Sequence, residues 1–400
     1  MYNVSAESKN KAFIVVGGLR MKVIIAIDSF KGSLTSNEAG QAIKEGILSV
    51  YHDAEVKIIP VADGGEGTVE ALVLGMNGQL EQMMVTGPLD DKVKANYGVL
   101  PESKTAIIEM AQASGLTLIS QELRNPLNTT TYGVGEVIKE AINKGCRNFV
   151  VGIGGSATND AGVGMLQALG FEFYNEAGEL VGTGGRILNE IKSIKVENAM
   201  KELADCTFKI ACDVDNPLYG TNGAAHIYGP QKGATPEIVK ELDCGLVNFS
   251  EVVKVALNKD IANTPGAGAA GGLGYGFMAF LNGNLQSGVD IIIEATKLDE
   301  AVADADFLIT GEGRLDHQTA MGKAPIGITK IGKKHGAKVI ALAGCISDDA
   351  KTCNIEGVDA YFGIQPGAIS LEDAMNIENA AKNLRNTAEQ TFRLIKTVKV

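Results

Sequence analysis

Glycines, hydroxyls and other polar residues directly follow an apolar run at Asn148–Met165, NFVVGIGGSATNDAGVGM. Gly154 and Gly155 allow a backbone to approach an anion closely, and Ser156 and Thr158 offer donors where a helix is expected to begin. A tight turn between a strand and a helix needs a glycine, but it does not need this whole polar set. The segment therefore predicts a binding site for an anionic ligand.

The same segment continues with Asn159 and Asp160, whose oxygens suit a metal–phosphate or a polyol. Acidic residues follow apolar runs in five glycine-containing loops, and ligands of open α/β sheets bind beyond the carboxyl ends of the strands. A single Asp there is usually a helix cap, but five such loops favour one shared cleft. Its acids would hold Mg²⁺, act as a general base or bind substrate hydroxyls. They are Asp28, Asp63 with Glu66, Asp160, Asp213 with Asp215, and Glu312 with Asp316.

Lysines beside glycines are the natural partners for an anion in this acidic chain, whose formal net charge is −12. Lys31 lies in FKGS, directly after Ser29, and Lys323 lies in MGKAP. Each can meet a phosphate as a point charge, and each can equally be a solvated surface charge.

Composition excludes several classes of protein. The chain has 400 residues, of which 45% are hydrophobic and 21% charged, as in ordinary soluble proteins with room for two domains. Lys and Arg form no dense run, so a nucleic-acid partner is not expected, and no apolar run approaches the about 18 residues of a membrane span. The six cysteines lack CxxC spacing, which favours free thiols in a cytoplasmic protein and gives no support for zinc.

The first 20 residues do not resemble a signal peptide, because the apolar part, Ala12–Val16, is short and no small-residue cleavage site follows. Strand-like sequence starts afresh at Met21. We therefore interpret residues 1–20 as a leader outside the native fold and Met21 as the native start.

Strands and helices alternate at both ends of the chain, which predicts a parallel sheet, whereas short β-runs separated by tight turns in the middle predict antiparallel pairing. Thr35 and Glu38 have the spacing of a capping box at the start of the first helix. Residues 265–276, PGAGAAGGLGYG, contain too much glycine for a regular element. Expected strands are Lys22–Ile27, Val56–Val61, Leu80–Val85, Val93–Leu100, Thr105–Met110, Asn148–Ile153, Thr207–Ala211, Asp306–Thr310, Lys338–Ala343 and Val358–Phe362, and expected helices include Tyr132–Asn143, Ala324–His335 and Leu371–Leu394.

The simplest arrangement of these elements is an α/β protein of two domains, one inserted in the other. Residues 21–80 and 290–400 would form an α/β domain from both chain ends. Residues 81–289 would form the inserted α/β domain, which carries the GGSATND loop.

Known nucleotide-binding motifs match only weakly. GxxxxGK[ST] is absent, since Ala324 follows Gly322 and Lys323. Gly152–Ala157 satisfies the relaxed Rossmann fingerprint after a strand, which leaves an NAD-linked hydroxyacid dehydrogenase open as an alternative. A non-catalytic module that binds a small anion is the other alternative.

Six motifs together resemble the bacterial glycerate kinase family, of the type that acts on D-glycerate. They cover the chain from Met21 onward, in the order that the family shows, with Ala161 where the family usually has a glycine. The resemblance implies phosphorylation of D-glycerate by ATP and two domains, one flavodoxin-like (Rossmann-like, with a parallel sheet) and one built on a mixed sheet. The motifs are DSFKGSL, PVADGGEGT, GGSATNDAG, CDVDNPL, GAAGGLG and GEGRLDHQTAMGKAP.

For a kinase of this kind, positioning and charge neutralisation carry most of the catalysis. We expect Ser29, Lys31 and the loop from Gly154 to Thr158 to bind anions, split between the glycerate carboxylate and the ATP phosphates. Further candidates for binding substrate or phosphate are Asp28, Asp63, Glu66, Asn159 and Lys323. Mg²⁺ would lie on Asp213, Asp160 or Glu312, and the candidate bases are Asp316 and Asp213. The favoured product is 2-phosphoglycerate, 3-phosphoglycerate stays open, and a homodimer is one option for assembly.

Overall fold

The computed structural model describes residues 20–62, 67–76, 78–320 and 324–398. The leader interpretation of residues 1–20 therefore falls almost entirely outside the described residues, as do the predicted site residues Asp63, Glu66 and Lys323. The strands of the described part are β1 Lys22–Ile25, β2 Glu55–Ile58, β3 Gln79–Thr86, β4 Lys92–Leu100, β5 Thr105–Glu109, β6 Asn148–Gly152, β7 Glu172–Tyr174, β8 Ser193–Lys195, β9 Thr207–Ala211, β10 Asn284–Gln286, β11 Phe307–Leu315, β12 Lys338–Ile346 and β13 Ala360–Gly363.

Helices cover the faces of the sheets. Short 3₁₀ turns lie at Leu116–Leu118, Gln121–Leu123, Gly185–Asn189, Lys201–Asp205 and Pro230–Lys232. The α-helices are α1 Ser36–Leu48, α2 Thr68–Gly75, α3 Ala111–Ser114, α4 Tyr132–Asn143, α5 Val163–Ala168, α6 Ala224–Tyr228, α7 Pro236–Leu257, α8 Ala269–Leu281, α9 Gly288–Thr296, α10 Leu298–Val302, α11 His317–Ala320, α12 Ala324–Lys334, α13 Thr352–Ile355, α14 Leu371–Met375 and α15 Ile377–Val398.

The two ends of the chain build one parallel sheet, with strand order β13-β12-β11-β1-β2. Every neighbouring pair in it is parallel. Residues Val23 to Ile25 of β1 are fully buried, as expected for a central strand with helices on both faces. The prediction of a parallel sheet from the alternating ends is confirmed.

The middle of the chain builds a mixed sheet, with strand order β10-β9-β6-β5-β4-β3. The β3–β4 and β4–β5 pairs are antiparallel, as the short β-runs predicted, and the other pairs are parallel. The predicted α/β class, with one parallel and one mixed sheet, is therefore confirmed. The exact limits of the two predicted domains stay a prediction.

Local sequence signals account for the elements that carry the loops. Thr35 caps α1, because its hydroxyl accepts from the Glu38 N–H at 3.2 Å while the Glu38 carboxylate accepts from the Thr35 N–H at 2.9 Å. This confirms the predicted capping box. The six cysteines are free, as expected from their spacing.

Three expectations about elements were wrong. Strand β11 continues through Gly311 to Leu315, where a loop was expected, because it pairs with β12 along its whole length. The glycine-rich segment contains α8, although Ala270, Gly271 and Gly272 have left-handed backbone angles. The expected C-terminal helix is interrupted at Asn376, which has extended angles between α14 and α15.

The two sheets share a hydrophobic cluster. Helices α2, α9, α10 and α12 contribute its centre, and strands of both sheets contribute its sides. Burial of this size is the main force that stabilises the fold. The cluster therefore fixes one sheet relative to the other, and its members include Ile24, Leu308 and Val339 from the parallel sheet, Leu100, Ile107 and Val150 from the mixed sheet, and Leu72, Val289, Ile292, Leu298 and Ile328 from the helices.

Candidate active site

A large cavity lies at the carboxyl edge of the parallel sheet; we call it the parallel-sheet cavity. Its volume is about 720 Å³. One side carries charged and polar groups, and the other side is apolar, with Ile364, Ile369, Leu371 and Met375. The polar side contains five residues that the sequence analysis proposed for the site, namely Asp28, Ser29, Lys31, Glu312 and Asp316. Arg314 lies beside them.

The acids of the parallel-sheet cavity are held by a local network. The Thr319 hydroxyl donates to the Glu312 carboxylate at 2.6 Å, and the Thr319 N–H donates to the Asp316 carboxylate at 3.2 Å. Asp316 thereby begins α11, and its second oxygen lies 3.6 Å from the guanidinium of Arg314. Both acids are only partly buried. The network holds two carboxylates at the wall of the cavity.

The loop after β1 brings Asp28 and Lys31 to the same cavity. Asp28 is 4% exposed, and its carboxylate accepts from the Ser29 N–H at 2.6 Å. Lys31 is exposed. The loop packs beside β11 at Gly313, where a Cβ would lie 3.7 Å from the Phe30 Cα, an ordinary contact distance.

A second cavity, of about 480 Å³, lies at the carboxyl edge of the mixed sheet; we call it the mixed-sheet cavity. Gly154, Gly155 and Ser156 line it after β6, and Asp213 lines it after β9. Gly155 has a φ of +73°, which favours glycine there. The N–H groups of Gly154, Gly155 and Ser156 donate to no acceptor among the described residues. They are the kind of exposed amides that bind an anion.

Lys232 is a candidate site residue that the sequence analysis did not identify. Its side chain is 2% exposed and lines the mixed-sheet cavity. Its ammonium donates to the Ser156 hydroxyl and to the Thr158 carbonyl, each at 2.7 Å. Burial lowers the pKa of Lys232 to about 7, against an opposing effect of the Asp160 charge. The signal was present, because Gly233 follows Lys232 and lysines beside glycines were the residues to inspect.

Asp160 has an internal role in place of the predicted metal contact. It is fully buried, and its carboxylate accepts from the N–H and hydroxyl of Thr131, each at 2.8 Å, and from the N–H groups of Gly162 and Gly164 at 3.1 and 3.3 Å. Burial raises the pKa of this carboxyl, although the four donors act in the opposite direction. Both oxygens are therefore used to join the starts of α4 and α5, and we no longer propose Asp160 as a metal ligand.

Thr158 and Asn159 also lie inside the protein rather than on the cavity surface. Both are fully buried, and neither the Thr158 hydroxyl nor the Asn159 amide has a hydrogen-bond partner among the described residues. The tight packing around them depends on Gly271, where a Cβ would lie 2.0 Å from the Thr158 carbonyl oxygen. The structure thus brings Gly154, Gly155 and Ser156 to the cavity, but not their two neighbours.

A groove of about 490 Å³ runs between the two sheets and extends the parallel-sheet cavity. The segment from Ser29 to Ser33 lines both spaces. The far wall of the groove comes from Glu109 of the mixed sheet, from Gln112 of α3 and from the start of α2, where the Glu109 carboxylate accepts from the Val69 N–H at 2.9 Å. Beyond this wall, the Leu116 N–H donates to the Gly155 carbonyl at 2.9 Å, at the edge of the mixed-sheet cavity.

Among the described residues, the donors that could hold a metal are paired carboxylates. Within residues 20–62, 67–76, 78–320 and 324–398, no group of three His, Cys, Asp or Glu side chains could hold a metal ion. Glu312 and Asp316 nevertheless fit Mg²⁺, which usually takes one or two carboxylates, substrate phosphates and waters. Among the described residues, no helix is long and apolar enough to cross a bilayer.

Comparison with known proteins agrees with this architecture. The sequence pattern of the glycerate kinase family matches residues 23–396. A glycerate kinase from Bacillus subtilis is 47% identical over 95% of this chain and 99% of its own, and a glycerate 2-kinase from Escherichia coli is 46% identical over 92% and 98%. The solved structure described as glycerate kinase 2 from Salmonella typhimurium LT2 has a TM-score of 0.88 at 41% identity, and covers 95% of this chain and 100% of its own. The resemblance that the motifs indicated is thus confirmed, and this chain belongs to the glycerate kinase family.

Proposed function

We propose that this kinase transfers the γ-phosphoryl group of ATP to the 2-hydroxyl of D-glycerate. The observation that carries the proposal is the pair of cavities at the carboxyl edges of the two sheets, together with the groove that the Ser29–Ser33 segment lines beside the parallel-sheet cavity. A kinase must hold a large, highly charged donor and a small acceptor side by side, with water excluded. Two cavities of different size and charge meet that need.

We assign ATP to the parallel-sheet cavity. Its apolar side can cover a purine, and its polar side offers Lys31 and Arg314 to phosphate oxygens. Glu312 and Asp316 would hold Mg²⁺, which supplies neutralisation of the charge on the phosphates when bound. The sequence analysis also proposed Asp316 as a general base. Asp316 fits the Mg²⁺-binding role better, because its carboxylate lies beside Glu312 and Arg314.

We assign D-glycerate to the mixed-sheet cavity. The amides of Gly154 and Gly155 and the Ser156 hydroxyl would bind its carboxylate, and Asp213 would accept the proton of the attacking hydroxyl. Asp213 is exposed, so its carboxylate can reach a bound hydroxyl. The roles of Asp28 and Lys31 at the junction of the cavity and the groove stay predictions, as do a cytoplasmic location and a homodimer.

The assignment of the product rests on the motifs and on the relatives. The Escherichia coli relative is named a glycerate 2-kinase, which supports 2-phosphoglycerate over 3-phosphoglycerate. ³¹P NMR of the product decides the point, because the 2-phosphate is a secondary ester and the 3-phosphate a primary one. A primary ester would overturn the regiochemistry and leave the kinase activity intact.

The dehydrogenase alternative predicts a helix that begins at the fingerprint glycines, with its N-terminus on a pyrophosphate. In this structure α5 begins only at Val163, beyond the whole Gly154–Gly162 loop. Incubation of the protein with D-glycerate and either ATP with Mg²⁺ or NAD⁺ separates the alternatives. We expect release of ADP that depends on glycerate and no NADH absorbance, whereas neither signal would favour the binding module.

A further inference from the structure

The buried ammonium of Lys232 has neutral partners. Its two hydrogen-bond acceptors are a hydroxyl and a backbone carbonyl, and it forms no salt bridge with a carboxylate among the described residues. Burial of a charge without a countercharge is costly, and its depressed pKa of about 7 reflects that cost. An anion bound beside it would remove the penalty and restore the charged form.

The surroundings of Lys232 fit a small anion with a single charge. It is the one cationic side chain among the described residues that line the mixed-sheet cavity, and Asp213 is the one acidic side chain. Much of the remaining lining is apolar, with Leu116, Ile153 and Val214 among its residues. One cation suits one carboxylate, and the acid suits a hydroxyl a few bonds away.

A triphosphate does not match this charge pattern. Its several negative charges need more than one cation, and the parallel-sheet cavity offers Lys31 and Arg314 together with acids for a divalent metal. The two cavities therefore differ in the number of charges that each can neutralise. This difference separates the acceptor from the nucleotide.

We propose that the Lys232 ammonium binds the carboxylate of the acceptor substrate and so selects a hydroxy acid over a neutral polyol. This inference rests on the proposed function and on the placement of the acceptor in the mixed-sheet cavity. Lys232 also donates to the Ser156 hydroxyl, so the same ammonium positions the loop whose amides face the anion. Lys232 thus acts on substrate selection as well as on substrate binding.

The test compares D-glycerate with D-glyceramide, which keeps both hydroxyls but replaces the carboxylate by a neutral amide of the same shape. Kinetics of the full chain are measured for the wild type and for Lys232→Met, with ATP and Mg²⁺. We expect the variant to raise the KM for D-glycerate roughly 10- to 100-fold, as for loss of a charge-assisted contact, and the KM for ATP less than twofold. The preference for glycerate over glyceramide, as a ratio of kcat/KM, should fall at least tenfold.

Lys259→Met is the matched control. Lys259 is another partly buried lysine that donates to backbone carbonyls, of Met278 and Ala279, but it does not line the cavity. The Lys259→Met variant should leave the preference for glycerate over glyceramide unchanged. If Lys232→Met does not fold, as judged by circular dichroism and thermal melting, Lys232→Gln serves in its place.

Four outcomes separate the proposals. An unchanged preference in a folded Lys232 variant overturns the direct role of the ammonium, as does a rise confined to the KM for ATP. Ser156→Ala keeps the ammonium and should therefore lose less of the preference than the Lys232 variant; an equal loss would place the selection on the Ser156 hydroxyl and would also overturn the direct role. Wild-type protein that releases no ADP with D-glycerate would instead contradict the proposed function.

Discussion

The carboxylate of Asp213 accepts a hydrogen bond from the N–H of Gly288 at 3.0 Å, so the end of β9 is joined to the first turn of α9 across 75 residues of sequence. Asp213 therefore has a structural task beside its proposed chemical one. A substitution that removed both the hydrogen bond to Gly288 and the carboxylate charge could not separate the two roles. The informative variant keeps the hydrogen bond and removes only the charge.

Asp213→Asn keeps an oxygen that can accept from Gly288 but removes the charge and the basicity. If Asp213 accepts the proton of the attacking hydroxyl, kcat should fall by at least ~10², the usual scale for loss of acid–base catalysis. Thermal melting should be close to the wild type. If Asp213 instead held a metal, a raised concentration of Mg²⁺ should partly restore the kcat of the variant. A kcat close to that of the wild type would contradict both roles and leave Asp213 with only the structural contact to α9.

Lys31→Ala should weaken the binding of ATP without loss of folding, because Lys31 is exposed in the loop after β1. Loss of a charge-assisted contact costs about 1.5–3 kcal/mol, so kcat/KM for ATP should fall roughly 10- to 100-fold. Lys57→Ala, on an exposed position of β2, is the control for a change in net charge. Equal kinetics in the two variants would make Lys31 an ordinary surface residue.

Asp160→Asn should destabilise the fold. An amide cannot accept well from the four donors that surround the carboxylate, and its NH₂ would face other donors. Breaking such a buried network should lower the free energy of unfolding by roughly 2–4 kcal/mol, as measured by urea titration. Asp306→Asn is the control, because it changes an exposed carboxylate that accepts from the Lys22 N–H. It should lower the free energy of unfolding far less than Asp160→Asn. Equal midpoints for both variants would argue against the internal role of Asp160.

Lys232 should make stability depend on pH in the absence of ligands. Its pKa is about 7 in the folded protein and 10.5 in an ordinary environment, so between these values the unfolded chain binds more protons. Stability from this group therefore rises as pH increases from about 7 to 10.5 and is lost as pH falls over the same range, and below about 7 this group causes no further change. The difference in free energy of unfolding between the wild type and Lys232→Met should shift in favour of the wild type over that range. A difference that is flat with pH would contradict the depressed pKa.

Local sequence patterns predicted the strands and helices of this fold more accurately than the residues of its candidate site. The helix Tyr132–Asn143 and the strand Thr207–Ala211 were predicted to the residue, because apolar periodicity and the flanking turns define them within a short window. The continuation of β11 through Gly311 and Gly313 was missed, since pairing with β12, not local propensity, makes those glycines strand residues.

The site depends on contacts between distant parts of the chain. Lys232 lies 76 residues from Ser156, and nothing in its neighbourhood of sequence indicates that its ammonium is buried. Asp160 followed the pattern of a ligand, but the backbone at Gly162 and Gly164 directs two donors onto it and the distant Thr131 supplies two more. The sequence pattern predicted which loops gather at the sheet edges, and tertiary packing decided which side chains face inward.

The hydrophobic cluster shared by the two sheets has a mechanical consequence. It joins the two sheets at whose carboxyl edges the cavities lie, and so acts as a spacer between them. If the two cavities hold ATP and glycerate, we expect the distance from donor phosphate to acceptor hydroxyl to depend on how tightly residues such as Leu72 and Ile292 pack. Small errors in the alignment of reacting groups cost large factors in rate, whereas binding within either cavity is unaffected. Loosening of this spacer by heat or by a smaller side chain should slow turnover well before the chain unfolds.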